Sequence, residues 1–334
     1  MLTEPADLDR AALTAALERH WGLRAPRLEY LPLGFGSHHW RAVDARGVQR
    51  FVTVDDLEAG FQAGPDADAA FAALERAFRT AAALHDEAGL DFVVAPLAGV
   101  DGVVIRRLSE RYAVTASPLV EGDSSAYGLW ESAEDRRLMA GVLGRLHAAT
   151  ERVPAGLPRR ESLVLPSRVA LVEALHDLDR PWDSGPFAEP ARQLLRGGAQ
   201  EVERSFREYD ELAVEVGETS SSWVVTHGEP HRGNVIRGHG GGLHLVDWDT
   251  TLVAPRERDL HMVLDEELTG WAEYRAAVGE ASLDRQALKL YRVWWHLADL
   301  GVFVDLFRRP HERTEDTRAS WENLVSTLRA PQPA

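Results

Sequence analysis

Residues 224–260 constrain the fold of this chain more than any other stretch. They contain two short apolar runs, 224–225 and 243–246, and each run leads directly into polar residues. A glycine-rich segment, 238–242, separates the second run from residues 234–237. Extended apolar segments on both sides of such a turn predict a β-hairpin.

This hairpin would bring an amide and a carboxylate together. In an antiparallel pairing, Asn234 at the start of one strand faces Asp247 at the end of the other. Mg²⁺ prefers such oxygen ligands and usually takes one or two protein groups, with phosphates and water completing its shell. Glu229, in the tight His-Gly-Glu-Pro-His turn upstream, is a carboxylate within loop reach of the predicted metal. The alternative interpretation is that these polar residues only cap the hairpin.

The residues from His227 to Asn234, HGEPHRGN, followed by Asp-Trp-Asp at 247–249, resemble a known motif pair. They are similar to the catalytic loop and metal-binding motif of the aminoglycoside phosphotransferase family, which consists of small-molecule kinases with a protein-kinase-like fold. Residues 252–260 are similar to the spectinomycin phosphotransferase branch. The family usually has Asp where this chain has Glu229.

The resemblance implies an α+β, bilobal, kinase-like fold. The expected N-lobe, residues 1–120, is small and combines an antiparallel sheet with a helix. The expected C-lobe, residues 121–334, is larger, mostly helical, and carries the catalytic loop, the metal site and the substrate-binding helices. Helices are predicted at 7–20, 68–88, 133–150, 167–180, 188–215, 258–267, 270–278, 284–307 and 315–328, and strands at 92–97, 102–107 and 112–120.

Composition excludes several classes of protein. The chain has no cysteine, which excludes disulfides and a Cys nucleophile, and its only lysine is Lys289, so no Walker A loop exists. Its net charge of −16 opposes nucleic-acid binding and favours a cationic substrate. The alternative is an acidic surface that only promotes solubility. No signal peptide or membrane span is recognised, so we expect a cytoplasmic location. We expect the protein to be a monomer or a homodimer.

The predicted nucleotide site lies in the first 120 residues. Gly34, Gly36 and Ser37 form a turn between two predicted strands, whose backbone N–H groups can approach phosphates closely. A plain β-turn is the alternative. By resemblance, Thr53 stands near the position of the kinase lysine that binds phosphates. By the same resemblance Pro118 and Val120 form the hinge that meets the base of ATP or GTP.

Because this lysine is missing, another group must neutralise the charge of the phosphates. Arg50, Arg106 or Arg107 could supply the charge, or the metal could carry more of it. Two alternatives to a kinase follow from this departure and from Glu229. One is a pseudokinase-like binding protein, and the other is an enzyme that transfers a nucleotidyl group.

The leading hypothesis is a Mg²⁺-dependent O-phosphotransferase that acts on a hydroxyl of an aminoglycoside, an aminocyclitol antibiotic or a related metabolite. The resemblance implies that Glu229 is the catalytic base, that Asn234 and Asp247 hold the metal, and that His227 braces the loop. Asp249, Trp295 and Asp299 are candidate contacts to the substrate, although aromatic side chains at helical spacing are more often part of a core. His147 is expected to be a core histidine.

Overall fold

The computed structural model describes residues 1–58, 66–166, 168–217 and 223–329. The helices are α1 (Arg10–Trp21), α2 (Ala67–Asp86), α3 (Ala133–Ala148), α4 (Arg168–His176), α5 (Ala188–Gly217), α6 (Glu257–Val263), α7 (Trp271–Val278), α8 (Arg285–Arg308) and α9 (Glu315–Arg329). The strands are β1 (Arg27–Leu31), β2 (Ser37–Val43), β3 (Gln49–Asp56), β4 (Ile105–Arg107), β5 (Tyr112–Pro118), β6 (Gly122–Ser124), β7 (Arg159–Arg160), β8 (Val224–Thr226), β9 (Val235–Gly238), β10 (Leu243–Leu245) and β11 (Leu252–Ala254).

The chain divides into two compact units, each built from two separate segments. The first unit contains Met1–Glu161 and Ser222–Leu283, and the second contains Ser162–Ser221 and Asp284–Ala334. The predicted catalytic loop therefore shares the first unit with the predicted glycine turn. The lobe boundary expected near residue 120 stays a prediction.

A five-stranded antiparallel sheet with the order β1-β2-β3-β5-β4 forms the beginning of the first unit. Burial alternates along β2, so one face of the sheet is apolar. Trp40, Val52 and Val54 on that face pack against Leu13 and Leu17 of α1, and all five side chains are fully buried. Alternation turns the neighbouring residues of β3 to the opposite face.

Two smaller sheets carry the predicted catalytic stretch in the same unit. One has the order β10-β9-β6, and its hairpin pairs Leu243 with Arg237 and Leu245 with Val235. The other has the order β7-β11-β8, with β11 in the middle. The hairpin predicted around residues 238–242 is thus confirmed, whereas the pairing of β6 and β7 with these strands was not foreseen.

The second unit is a helical bundle of α4, α5, α8 and α9 around its own core. Helix α5 has 30 residues and α8 has 24, and each carries a buried apolar face. Leu195, Val202, Leu290, Val304 and Phe307 are among the fully buried residues of this core.

Several predicted boundaries differ from the structure: the helices predicted to end at 180 and 267 end at His176 and Val263, and the strand predicted from 102 begins at Ile105. Helix α1, predicted from residue 7, begins after Asp9, whose carboxylate accepts from the N–H groups of Ala11 and Ala12, while Asp7 is bonded to Arg111. The strand predicted at 92–97 is wrong: it forms a single bridge, Val93 to Leu245, because a buried extended segment with a proline finds no continuous partner strand. Position 167, at the start of one predicted helix, and the C-terminal segment 330–334 lie outside the described residues.

No helix among the described residues is long and apolar enough to cross a membrane.

Candidate active site

The turn that precedes β2 has the conformation that its glycines permit. Gly34 has φ of +69° and Gly36 has φ of +90°, in the left-handed region that other residues rarely adopt. Ser37 follows as the first residue of β2 and lies directly opposite Asp55 of β3. Its hydroxyl donates to Asp55 Oδ1 at 2.7 Å. The glycine turn thus leads straight to a buried carboxylate.

Thr53, predicted near the position of the kinase lysine, forms a hydrogen bond within the sheet. Its Oγ1 lies 3.3 Å from Nδ1 of His39 on β2. Burial lowers the pKa of His39 to about 3, so this ring is neutral. Because side chains alternate along a strand, Thr53 and Asp55 share the face of the sheet opposite α1.

The two predicted hinge residues lie at the end of β5. Pro118 is the last residue of the strand and pairs with Arg50 of β3, and Val120 is two residues further on. Proline has no N–H group, so any contact from Pro118 to a base would use its carbonyl oxygen.

The arginines considered as substitutes for the lysine have other partners. Arg106 is bonded to Asp101 and Arg107 to Asp68, while Arg50 donates to the carbonyl of Gln49. Each of the three guanidinium groups therefore already has a hydrogen-bond partner within the first unit.

The catalytic loop leaves β8 at His227 and is anchored by Asp259 at the start of α6. The Asp259 carboxylate is fully buried, and accepts from the N–H of His227 at 2.9 Å and from the N–H of Gly228 at 2.6 Å. It also lies 3.0 Å from Nε2 of His147, whose Nδ1 lies 2.8 Å from the Tyr274 hydroxyl. Asp259 therefore fixes the first two residues of the loop, and His147 is a buried structural histidine, as expected.

Several interactions determine the ionisation of Asp259. Burial acts to raise its pKa, but the hydrogen bond from His147 and the charge of Arg258 outweigh it. The pKa of Asp259 consequently lies below its ordinary value, and the group is a carboxylate at neutral pH.

Position 228 requires a glycine for two reasons, its backbone conformation and the lack of room for a side chain. Its φ is +106°, and a Cβ at this position would collide with the guanidinium of Arg258. Arg258 is itself buried, and donates to Thr226 Oγ1 at 2.9 Å and to the Thr250 carbonyl at 3.0 Å. The arginine thus ties β8 to the segment after Asp249.

His227 braces the loop as a neutral ring. Burial lowers its pKa to about 4. The hydrogen bonds fit the tautomer that carries its proton on Nε2: this nitrogen lies 2.9 Å from the Val246 carbonyl, and Nδ1 accepts from the Glu229 N–H at 3.1 Å. The ring also packs edge-on against Trp248, with 4.6 Å between centroids. His227 thereby connects the loop to the residue before the Asp-Trp-Asp motif and to its central tryptophan.

Asn234 lies near Asp247, but the register differs by one residue from the predicted pairing, since Val235 pairs with Leu245 and Asn234 therefore lies opposite Val246. The N–H of Val246 donates to the Asn234 carbonyl at 3.0 Å, which places Asp247 beside Asn234. The Asn234 amide nitrogen donates to the Glu229 carbonyl at 3.1 Å, so a cation would be bound by the amide oxygen. Asp247 has φ of +67°, a conformation that Asp tolerates better than most residues and that often marks functional sites.

Glu229 is half-buried beside a second histidine of the loop. One of its carboxylate oxygens lies 3.9 Å from Nε2 of His231. Burial lowers the pKa of His231 to about 4, so the contact is not an ion pair at neutral pH. The loop itself is held from outside by Trp130, whose indole N–H donates to the Pro230 carbonyl at 2.9 Å.

Four acidic side chains act on one another at this site. Burial, followed by the charges of Asp249, Glu229 and Asp55, raises the pKa of Asp247 well above its usual range. Burial raises the pKa of Asp55 to about 7, against the Ser37 hydrogen bond, and the charge of Asp249 adds to it. The Asp247 residue is nevertheless exposed to solvent, so solvent screens part of this repulsion.

Asp249 has cationic neighbours that Asp247 lacks. Its pKa is raised by burial, while backbone N–H groups and the charges of Arg258 and Arg159 oppose the shift. Arg159 is half-buried on β7, and its Nε forms no hydrogen bond within the part of the chain that the structure describes. Neither Arg159 nor Asp55 was foreseen as part of the site, because only the folded sheets bring them near Asp249.

A divalent cation fits this donor set. All candidate ligands are oxygens, and the carboxylates repel one another unless a positive charge lies between them. Among the described residues, no three His, Asp or Glu side chains form a ready-made metal site. Asn234 and Asp247 would therefore hold the ion together with phosphate oxygens and water, as Mg²⁺ sites commonly require.

Trp295 and Asp299, the predicted substrate contacts, lie one turn apart on α8 in the second unit. Burial alone raises the pKa of Asp299 to about 7. The Asp299 residue is half-buried, and its carboxylate has no hydrogen bond or ion pair with the described residues.

These features are typical of the class of kinase-like phosphotransferases. They are an antiparallel sheet, a loop of the form His-Gly-x-x-His-x-Gly-Asn and a following Asp. The phosphotransferase enzyme family is matched by residues 11–292, and the chain belongs to this family. This finding confirms both the predicted family and the prediction of a phosphotransferase.

Known proteins show the same relationship over nearly the whole chain. Protein StrN of Streptomyces griseus is 27% identical over 325 residues, covering 92% of this chain and 88% of StrN. Spectinomycin phosphotransferase APH(9)-Ia, solved with ADP and spectinomycin, has a TM-score of 0.74 at 16% identity and covers 98% of this chain and 96% of its own. Amicoumacin kinase hAmiN, solved with AMP-PNP and Ca²⁺, has a TM-score of 0.57 at 13% identity, covering 96% and 93%. These structures confirm the α+β, kinase-like fold.

Proposed function

We propose that this protein is a Mg²⁺-dependent kinase that transfers the γ-phosphate of ATP or GTP to a hydroxyl group of a small, cationic acceptor. The observation that carries the proposal is the convergence of Glu229, Asn234 and Asp247, braced by His227 and anchored through Asp259. Phosphoryl transfer requires mainly positioning and neutralisation of charge, which suits such a rigid, acidic site.

Each residue has a distinct role in this proposal. Asn234 and Asp247 hold Mg²⁺, which when bound neutralises and orients the phosphates of the nucleotide. Glu229 orients the acceptor hydroxyl and accepts its proton as the oxygen bonds to the γ-phosphorus. The bond from that phosphorus to the bridging oxygen breaks, and the nucleoside diphosphate leaves. His227 remains neutral and keeps Glu229 in place through the Glu229 N–H.

The nucleotide would bind under the glycine turn. Backbone N–H groups of the turn at Gly34 and Gly36 would approach the phosphates, and Ser37 and Thr53 line the same side of β2 and β3. The base would meet the carbonyl of Pro118 and the backbone of Val120.

Charge favours a cationic acceptor. The chain has a net charge of −16, and Asp299 is a half-buried acid on α8, one turn from Trp295, with no ion pair to any described residue. An amine of the acceptor would stabilise this carboxylate, and the indole would stack on the acceptor ring or cation. Spectinomycin, which is named with one of the similar structures, is an acceptor to test first. We keep the cytoplasm as the expected location.

The test combines nucleotide binding with transfer. Thermal unfolding is measured with ATP and with GTP, each with and without Mg²⁺, for the native protein and for Asp247→Asn. Nucleotide at 100 times its Kd adds about 2.7 kcal/mol of stability. A Mg²⁺-dependent shift that Asp247→Asn loses, followed by transfer of phosphate to an aminocyclitol or aminoglycoside, supports the proposal. Nucleotide binding without transfer to any of a broad panel of hydroxyl acceptors contradicts it.

A pseudokinase-like binding protein is the second candidate, and the absent lysine favours it. No lysine occurs before Lys289, and Arg50, Arg106 and Arg107 are bonded elsewhere. Mass spectrometry of the acceptor separates the possibilities, because phosphoryl transfer, nucleotidyl transfer and no transfer give different masses.

A further inference from the structure

Asp55 has the most unusual environment in the glycine-turn region. Its side chain is 1% exposed, Oδ1 accepts from the Ser37 hydroxyl, and Oδ2 is buried with no hydrogen bond to any described residue. An unpaired carboxylate oxygen in the interior is costly, and proteins keep such groups chiefly where a ligand completes them.

The unpaired oxygen belongs to a functional cluster and not to the apolar core. Val52 and Val54 of β3 face the core with α1, so alternation directs Asp55 to the other face of the sheet. There the charges of Asp249 and Asp247 are close enough to act on Asp55. Asp55 therefore lies between the glycine turn and the Asp-Trp-Asp motif, where the terminal phosphates of a nucleotide would sit.

A carboxylate at this place conflicts with direct phosphate binding. Kinases of this fold use a lysine of the same strand to attract the phosphates, whereas Asp55 would repel them. A divalent cation removes the conflict, because it binds the free Oδ2 on one side and phosphate oxygens on the other. Arg106 and Arg107, which could otherwise supply the positive charge, are bonded to Asp101 and Asp68.

We propose that Asp55 is a ligand of a divalent cation that binds the terminal phosphates of the nucleotide from the sheet side, in place of the missing lysine. This inference rests on the proposed nucleotide-dependent function and adds a cation to the one held by Asn234 and Asp247. Since no three acidic or histidine side chains form a ready-made site among the described residues, phosphate oxygens must complete the coordination. The additional cation should thus bind only together with nucleotide.

The test counts bound Mn²⁺ by electron paramagnetic resonance of the free ion, with a saturating non-hydrolysable ATP analogue. We expect Asp55→Asn to bind one Mn²⁺ fewer per protein than the native chain. Asparagine keeps an oxygen for the Ser37 hydroxyl and nearly the same volume, so the fold is preserved, and thermal unfolding without ligands checks this. Asp55→Lys should bind the analogue with a weaker dependence on Mn²⁺ concentration, because its ammonium replaces the cation.

Two control variants separate a metal ligand from a structural acid. Asp56→Asn changes the neighbouring buried carboxylate of β3, which accepts from Arg111 Nε at 2.9 Å, and should keep the full Mn²⁺ count. Asp299→Asn removes a half-buried, unpaired carboxylate in the second unit and should also keep it. Asp247→Asn should lose the cation predicted at Asn234 and Asp247.

The outcomes are distinguishable from those of the proposed function. An unchanged Mn²⁺ count in Asp55→Asn, with a loss in Asp247→Asn, overturns the role of Asp55 and leaves the kinase proposal standing. A lower count in Asp56→Asn equal to that in Asp55→Asn assigns the effect to local structure and overturns the inference as well. A native protein that binds neither Mn²⁺ nor the analogue overturns both.

Discussion

Replacement of Asp299 by asparagine should stabilise the ligand-free protein at alkaline pH and not at acidic pH. Burial raises the pKa of this carboxyl group from 3.8 to about 7. Below pH 3.8 the group is protonated in both folded and unfolded chains and costs nothing. As the pH rises from 3.8 to about 7, the unfolded chain loses its proton first, so the free energy of unfolding falls, and above pH 7 it is level again.

The magnitude follows from the size of the shift. A difference of about three pKa units corresponds to about 4 kcal/mol at 1.36 kcal/mol for each unit. Asp299 keeps some contact with solvent, which screens its charge, so we expect about half of this value, about 2 kcal/mol. Asn is neutral at every pH and has nearly the same shape. Asp299→Asn should therefore gain about 2 kcal/mol at pH 8 and almost nothing at pH 4.

Urea unfolding followed by tryptophan fluorescence at pH 4, 6 and 8 measures this difference. The matched control is Asp305→Asn on the same helix, since Asp305 pairs with Arg309 at 2.6 Å, and loss of a surface pair changes stability by about 1 kcal/mol or less. Equal stabilisation at pH 4 and pH 8 would refute the reasoning, as would no gain at pH 8. If Asp299 recognises an amine, the same variant should also bind a cationic acceptor more weakly, so stability and binding should change in opposite directions.

Three further substitutions test the active site. Asp259→Asn replaces one acceptor oxygen by an amide N–H group that faces a buried donor. The free energy of unfolding, measured in urea, should therefore fall by about 1 to 3 kcal/mol. Because the loop start would shift, kcat should fall on the order of 100-fold, whereas an unchanged kcat would show that the anchor is not needed. Gly228→Ala, at φ of +106° and against Arg258, should lower stability by about 1 to 3 kcal/mol in the same assay, and an unaltered midpoint would contradict the strain. Asp247→Asn should raise the melting temperature of the ligand-free protein, since it removes repulsion, yet lose the Mg²⁺-dependent response to nucleotide; retention of that response would disprove the metal role.

The predictable part of the site is the part encoded by neighbouring residues. A hairpin needs only a glycine turn and two apolar runs, so the approach of Asn234 to the segment around Asp247 could be predicted to within one residue. The structural role of His147 was also expected, and its hydrogen bonds to Asp259 and Tyr274 agree with it. The long helices of the second unit were recognised because their apolar periodicity extends over many turns.

The unpredicted part depends on contacts between distant segments. Asp55 occurs in a sequence that reads as an ordinary strand end, and only the register of β2 with β3 places it opposite Ser37. Arg159 lies in a two-residue strand within a stretch that reads as a loop, and pairs with Leu252 almost a hundred residues later. The run at 92–97 has the composition of a strand, yet it is buried without a partner of its own. Composition cannot reveal whether a partner strand exists.

The alternation of segments between the two units affects how the chain can fold as it is synthesised. The first unit takes residues 1–161 and 222–283, and the second takes 162–221 and 284–334. The five-stranded sheet can form early because all its strands precede residue 119. The sheets that carry the catalytic loop cannot, because β6 and β7 must wait for β8 to β11. A ribosome-bound chain that stops before residue 224 would thus hold a finished sheet next to unpaired strand edges, and we expect it to need chaperone protection at this stage.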